Sequence, residues 1–236
     1  MRSLWCALLL GLLAGSASGQ LKPGQLLLNA SFQGANSAQD LEGGSTSGPI
    51  ADSDDLDATF QFLVQTSSKG AWGLEVGYDF IRRDEDFSSG NPLRRSTVQG
   101  YSIGPTHRRL FSNTPLINVY TDLSLTYRHA TADADDFNPG GVRFKNTDGA
   151  TDQFNLALRP GAQVKAAKNL VVTLSFELFR ASMTDETLEI TEFDDQGSVA
   201  LRGEVSESSF DYGFFPGFSL GSLAIGVQLV LGKGRE

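Results

Sequence analysis

The feature that most constrains this chain is an alternation of apolar and polar residues that recurs along it. The clearest example is AWGLEVGYDFIR, residues 71–82, in which every second residue from Trp72 to Phe80 is apolar and those between are small or acidic. Because successive side chains of a strand face opposite sides, this segment has one apolar and one polar face. A soluble sandwich buries such an apolar face, whereas an outer-membrane barrel turns it toward lipid.

Eight stretches share this two-residue period, which is the pattern of strands with one apolar and one polar face. Long apolar helical patterns are few, and 26 glycines favour an all-β chain. The predicted strands cover residues 25–33, 58–66, 71–82, 98–111, 116–128, 153–164, 170–180 and 210–231.

The connections between these strands alternate between long and short. The long links are residues 34–57, 83–97, 130–152 and 181–209, and the short ones are 67–70, 112–115 and 165–169. Long loops at one end and tight turns at the other are typical of an outer-membrane barrel with both termini in the periplasm. A soluble sandwich gives no reason for this rhythm. The sequence therefore predicts a single eight-stranded antiparallel up-and-down transmembrane β-barrel.

The first 19 residues have the pattern of a secretory signal peptide. Arg2 precedes a short apolar run, and small residues follow at the expected cleavage site near Gly19. The only cysteine, Cys6, lies inside the apolar run, so the mature domain of residues 20–236 has no thiol chemistry. A net charge of −9 argues against nucleic acid as a partner. We expect export to a Gram-negative-type outer membrane, with cleavage of the signal.

The strand sequences also resemble a known family. The segments LLLNASF, AWGLEVGYDF, VQGYSIGPTHRRLF, LALRPGAQVKAAKNLVVTLSFEL and FSLGSLAIGVQLVLG are similar to the small outer-membrane β-barrel domain of Bacteroidota and relatives. The resemblance includes the pair Gly104-Pro105 with the arginines after it, and Pro160-Gly161 before the turn at Asn169. It implies an OmpA/OmpX-type or porin-like barrel and no catalytic signature.

An eight-stranded barrel is just wide enough for side chains to fill it, and charges inside it must be paired. We interpret the charged residues of the polar faces as an internal ion-pair network that plugs the lumen. The alternative is an open polar channel of porin type, in which the same residues set selectivity. The predicted lumen charges are Glu75, Asp79, Asp122, Arg128, Arg159 and Glu177.

Aromatic residues of the apolar faces fall near the strand ends, as two girdles at the membrane interfaces would require. Phe179 shares the parity of Glu177, so the pattern predicts that it points inward. The predicted girdle residues are Trp72 and Phe111 near the short turns, and Tyr78, Phe80, Tyr127 and Phe154 near the long loops.

Catalysis has little support in the sequence. A lipid-modifying barrel enzyme needs a nucleophile beside a histidine, and neither Ser124 near His129 nor His107 forms a recognisable motif. We interpret His107 as an interfacial residue, and the aspartate clusters of the long links as a solvated rim, with divalent-cation binding as the alternative.

We predict no catalysis, cofactor or metal, and a structural or adhesive role or passive passage of small solutes. The expected partners are outer-membrane lipid, lipopolysaccharide and the barrel-assembly machinery.

Irregular features are expected at three prolines and in the last strand. Pro105, Pro160 and Pro216 lack the N–H that a ladder needs, which indicates bulges or bends. The apolar parity of the last segment shifts near Gly221-Ser222. A bulge there would restore the register, and a hairpin that adds a ninth strand is the alternative.

Overall fold

The computed structural model describes residues 21–36, 50–86, 93–112, 114, 116–137, 143–194, 197–214 and 223–232. Regular structure in these ranges is all β, and every pairing is antiparallel. No helix in them is long and apolar enough to cross a bilayer. The strands are β1 (Leu26–Asn36), β2 (Ile50–Ser67), β3 (Gly70–Asp86), β4 (Leu93–Leu110), β5 (Ile117–Phe137), β6 (Arg143–Ala167), β7 (Leu170–Phe176), β8 (Phe179–Phe193), β9 (Val199–Phe214) and β10 (Leu223–Leu231).

The pairings close into a ring. β1 to β7 pair in sequence order, and β10 pairs with both β7 and β1. β8 pairs with β6 beyond β7, and β9 pairs with β8. The predicted all-β, antiparallel up-and-down arrangement is therefore confirmed.

The predicted number of strands is not confirmed, because the described residues form ten strands rather than eight. The predicted seventh strand is divided into β7 and β8 at Glu177 and Leu178. Gly161 of β6 pairs with Ser175 of β7, and Leu158 of β6 pairs with Phe179 of β8. Between these two pairs lie two residues of β6 and three residues of the segment opposite. This is a β-bulge opposite a proline, Pro160, which cannot donate to the ladder.

The bulge also corrects the predicted direction of Phe179. An extra residue reverses the parity of all positions beyond it. Phe179 therefore lies opposite Leu158 on the outer face, and its ring lies 4.9 Å from that of Phe214. The prediction that Phe179 points inward is wrong, because it assumed an unbroken two-residue period.

The links predicted to be long loops are largely strand. β5 continues to Phe137 and β6 begins at Arg143, so the ladder enters the predicted loop 130–152 from both sides. β2 with β3, β3 with β4, and β8 with β9 extend in the same way. These extensions are paired along the backbone, although the alternation of their side chains is shorter and weaker than in the ring. The short turns are confirmed at residues 68–69 and 168–169, and residues 111–116 connect β4 to β5.

We call the end of the ring with the short turns the turn end, and the opposite end the hairpin end. β9 and β10 together replace the predicted last strand. The expected bulge near Gly221-Ser222 and the expected bend at Pro216 lie outside the described residues, as does the signal peptide. At Pro105 the ladder to β3 keeps its register.

Candidate functional site in the ring interior

The ring has an apolar outer surface and a largely polar interior. Along β5, Leu123 and Leu125 are exposed on the outside, whereas Asp122, Ser124 and Thr126 are buried on the inside. The other ring strands show the same contrast. Exposed apolar residues of the outer face include Phe60, Phe62, Leu74, Ile103, Leu156, Leu174, Val227 and Leu229.

The interior is apolar only at the turn end. Leu21, which precedes β1, packs there with side chains from seven ring strands. This cluster, which we call the apolar floor, fills the ring just inside the short turns and closes that end. Its members are Leu21, Leu27, Leu63, Ala71, Leu110, Tyr120, Val171 and Val230.

Directly above the apolar floor lies Arg108, whose side chain is fully buried. Its Nε and Nη2 donate to the two carboxylate oxygens of Asp122, each at 2.7 Å. Nη1 donates to Gln228 at 2.6 Å, and Nη2 also donates to Gln61 at 2.9 Å. The guanidinium carbon lies 4.0 Å from the centre of the Tyr120 ring. Arg108 thereby links strands on opposite sides of the ring.

Room for the Tyr120 ring comes from a glycine on the next strand. A Cβ at Gly161 would lie 2.5 Å from the tyrosine ring and 2.6 Å from the Leu174 carbonyl oxygen. No side chain fits at that position without displacing the ring on which Arg108 rests.

A second ion pair lies above the first. Arg159 donates from Nη1 to both oxygens of Glu75, each at 2.8 Å, and Glu75 is almost completely buried. Gln61 joins the two layers, since its Nε2 donates to Glu75 at 2.9 Å and to Asp122 at 3.2 Å. Because each carboxylate has a guanidinium and an amide partner, the charges are compensated as burial requires.

Nearer the hairpin end the ion pairs become more accessible. Arg128 donates from Nε and Nη2 to the two oxygens of Asp79. Glu177, in the bulge, contacts Arg180 at 2.9 Å and Arg159 at 3.8 Å.

A cavity of about 380 Å³ lies among these upper ion pairs and is open to solvent. A recess of about 80 Å³ continues from it toward Tyr120 and Asp122. Asp57, Glu177, Arg159 and Arg180 line both spaces. Because the apolar floor closes the other end, the interior is a cup that opens toward the hairpin end.

All six charged residues predicted for the lumen lie on the interior face, and the structure joins them into pairs. Glu75 is with Arg159, Asp79 with Arg128, and Glu177 with Arg159, whereas Asp122 takes a partner that was not predicted. That partner, Arg108, could have been found, because it shares the parity of the inward-facing positions of β4. Its neighbours in the sequence, His107 and Arg109, instead favour an interfacial cluster at the strand end.

Asp57 and Arg180 were also missed as interior residues. Asp57 fell within a predicted loop, and Arg180 took the wrong parity because the bulge was not foreseen. Neither carries a sequence signal that separates it from an exposed loop charge.

The six predicted girdle residues lie on the outer face. Trp72 packs against His107, with ring centres 4.3 Å apart near the turn end. Tyr78 packs against Tyr101 and Tyr127 against Phe154, each pair with ring centres 5.3 Å apart and nearer the hairpin end. Phe80 is half-buried beyond Tyr78, and Phe111 is exposed directly after β4.

The residues considered for catalysis do not assemble. Nδ1 of His129 lies 2.8 Å from Asp152 Oδ1 on the outer face, and the Tyr127 hydroxyl donates to the same carboxylate oxygen at 2.5 Å. Ser124 is buried on the interior face, so the ring wall separates it from His129. Among the described residues, no group of three or more histidine, cysteine, aspartate or glutamate side chains is placed to hold a metal ion.

No protein-family model and no curated protein sequence matches the chain. Its solved structural neighbours are outer-membrane β-barrel proteins. The ferric yersiniabactin uptake receptor FyuA of Yersinia pestis is 11% identical over 81% of this chain, with a TM-score of 0.40. This chain spans 31% of that receptor.

Two further neighbours have a TM-score of 0.35. The attachment invasion locus protein Ail of Yersinia pestis is 11% identical and covers 88% of this chain and 95% of its own. The transport unit of the autotransporter AIDA-I of Escherichia coli is 12% identical, with coverages of 97% and 96%. These similarities are distant and do not bear on function.

Proposed function

We propose that this chain is an integral outer-membrane β-barrel protein with a closed lumen and a structural or adhesive role, without catalysis. The observation that carries the proposal is the inverted arrangement of the ring. Leu125 is 51% exposed and Phe154 is 56% exposed on the outside, while Arg108 is fully buried and Glu75 is 2% exposed on the inside. A water-soluble barrel would place these residue types the other way round.

The dimensions of the ring support a membrane location. A spanning β-strand needs about 9–11 residues. β1 has 11 residues and β10 has 9, and these two strands lie almost entirely within the ring. β7 has 7 residues and ends at the bulge, after which β8 follows, and the remaining ring strands continue past this height into polar hairpins, which would stand in water above the bilayer.

The orientation follows from the two ends. The turn end would face the periplasm, with Trp72 and Phe111 at that interface. The hairpin end would face outward, with Tyr78, Phe80, Tyr127 and Phe154 at the other interface. The partners proposed on this basis are outer-membrane lipid, lipopolysaccharide and the barrel-assembly machinery.

The adhesive part of the proposal rests on β9. Among the described strands it pairs with β8 alone, and nearly all its residues are exposed. Apolar side chains on it, among them Leu201, Val205 and Tyr212, are more than half exposed. A strand edge with free backbone groups and exposed apolar residues is a surface that another protein can bind.

An open porin is disfavoured by the apolar floor and the buried Arg108 layer, since together they fill the ring. Conductance in planar bilayers tests this point. A closed lumen predicts no stable single-channel steps for the purified protein. Regular ohmic steps would show that the interior is a pore.

The membrane assignment is tested with the purified full-length protein. We expect it to aggregate without detergent, to insert into phospholipid vesicles, and to migrate differently on gels before and after heating. A protein that is monodisperse in buffer alone would contradict the assignment.

A further inference from the structure

The cup contains one carboxylate that the ion-pair network does not use, and we infer that Asp57 binds small solutes carrying a primary ammonium group. The cavity is lined by four carboxylates, Asp57, Glu75, Asp79 and Glu177. Three guanidinium groups accompany them, those of Arg128, Arg159 and Arg180. The lining therefore has one negative charge in excess.

The excess charge resides on Asp57. Glu75, Asp79 and Glu177 each contact an arginine within the cup. Within the described part of the chain, Asp57 makes no ion pair, and its polar contact is a hydrogen bond at 3.5 Å from the Thr59 hydroxyl. Asp57 also lies directly across the ladder from Asp79. Like charges opposite each other repel, and because Asp79 is already paired with Arg128, a cation at this point pairs chiefly with Asp57.

The surroundings of Asp57 suit a group with several N–H donors. Asp57 is exposed toward the cavity, and the hydroxyls of Ser31 and Thr59 and the Gln61 amide line the recess beside it. A primary ammonium donates three hydrogen bonds, and a carboxylate with neighbouring hydroxyls provides three acceptors. A quaternary ammonium has no N–H to donate.

Other ligand classes fit less well. The guanidinium groups of the cup are already bound to carboxylates, so an anion would have to break an ion pair to bind there. Ca²⁺ takes six to eight oxygen ligands and Mg²⁺ an octahedral set, usually with more than one free carboxylate for tight binding. A cavity of about 380 Å³ is large enough for a small amine and its hydration water.

The test uses the full-length protein in detergent at low ionic strength, with ethylammonium chloride titrated by calorimetry and by NMR of the methyl group. A ligand with three non-hydrogen atoms is limited to roughly millimolar affinity. We expect binding in that range, weakened about tenfold or more by Asp57→Asn. The matched control is Glu204→Gln, which removes the same charge from exposed β9 and should leave the affinity unchanged.

Tetramethylammonium, sodium and magnesium chlorides are titrated in parallel. Weaker binding of tetramethylammonium and sodium than of ethylammonium supports a site for N–H donors. Equal affinities for all the monovalent cations, or competition by magnesium alone, would overturn the ammonium assignment. So would the absence of binding, or binding that Asp57→Asn and Glu204→Gln weaken equally. Occupancy of the cup does not depend on how the chain is anchored, so this test can fail while the membrane assignment holds.

Discussion

The ring and the hairpin extensions are built from the same continuous strands, but their side chains lie in different surroundings. In β5, exposed and buried residues alternate almost without exception from Ile117 to Ala130. Beyond Ala130 the alternation weakens, and from Ala134 to Phe137 both faces are half-buried. The antiparallel ladder to β6 continues through both parts, with a register shift only at the last pair. The backbone is the same, and only the surroundings of the two faces differ.

This difference shows what an alternating sequence indicates. It indicates that the two faces of a strand lie in different media, and a strand whose two faces share one medium can lack the alternation. In the ring, one face meets lipid in our proposal and the other meets an ion-pair network. In the extensions both faces meet water in our proposal, so no hydropathy period is required, and the short alternation that is present there, as in residues 199–206, is easily taken for a loop.

The largest effect is expected in the ring interior. Arg108→Ala leaves Asp122 buried beside Gln61 without its bidentate partner. Breaking a buried ion pair by removing one partner costs about 3–5 kcal/mol. We expect a loss of that size in the free energy of unfolding, measured by urea titration of the protein folded into phospholipid vesicles.

The matched control lies in the extensions. Arg202→Ala removes an exposed partner of Glu189, a contact of 2.7 Å. Exposed pairs contribute about 1 kcal/mol or less, so this variant should be close to the unchanged protein. The double variant Arg108→Met with Asp122→Leu should recover much of the loss, because an apolar pair leaves no unpaired charge. Equal losses for Arg108→Ala and Arg202→Ala would remove the distinction between the two regions.

The next effect sharpens the comparison on the outer face. Leu125 lies near the middle of the ring part of β5, and Leu201 lies on β9 in the extension, and both are more than half exposed. In a bilayer, an arginine on the lipid face near the midplane costs about 2–4 kcal/mol. Leu125→Arg should therefore destabilise the vesicle-embedded protein by that amount, while Leu201→Arg should have little effect. If both are neutral, the outer face of the ring lies in water.

The ring was predictable from sequence, because there the two faces differ. Eight alternating stretches, their antiparallel order, and the inward direction of Glu75 and Arg159 all follow from one period. The extensions were missed because their alternation is short or weak and lies among aspartates and glycines, as in residues 130–135 and 199–206. Phe179 and Arg180 were misplaced by a single extra residue at Glu177–Leu178, and Asp57 was missed because its strand begins before the alternation does.

A smaller effect is expected from shortening an extension. Joining Asp185 to Ser208, which are paired, through an Asn-Gly turn would remove most of the β8–β9 hairpin and keep its register. Segments with solvated faces and few buried contacts lie at the low end of local stability, so the cost to the ring should be about 1 kcal/mol or less. Urea unfolding in vesicles measures it. A loss as large as that of Arg108→Ala would mean that the hairpin supports the ring.

The smallest effect is a pH dependence confined to the extensions. Partial burial, with repulsion from Asp135 and Asp148, raises the pKa of Asp133 above its ordinary value of 3.8, against an opposing effect of Arg143. Asp148 is its direct partner on β6. The folded hairpin therefore binds this proton more tightly than the unfolded chain does, and charged Asp133 destabilises it.

The direction of the pH dependence follows from the higher proton affinity of Asp133 in the folded hairpin. As the pH falls through the raised pKa toward 3.8, the hairpin should gain stability, and above the raised pKa the penalty should be constant. Amide-exchange protection factors at residues 131–136 and 145–150 should rise over this window, while those of the ring part of β5 stay level. Asp133→Asn should abolish the dependence. If the dependence persists in that variant, another group of the extensions titrates, and the repulsion between Asp133 and Asp148 is not what limits the stability of this hairpin.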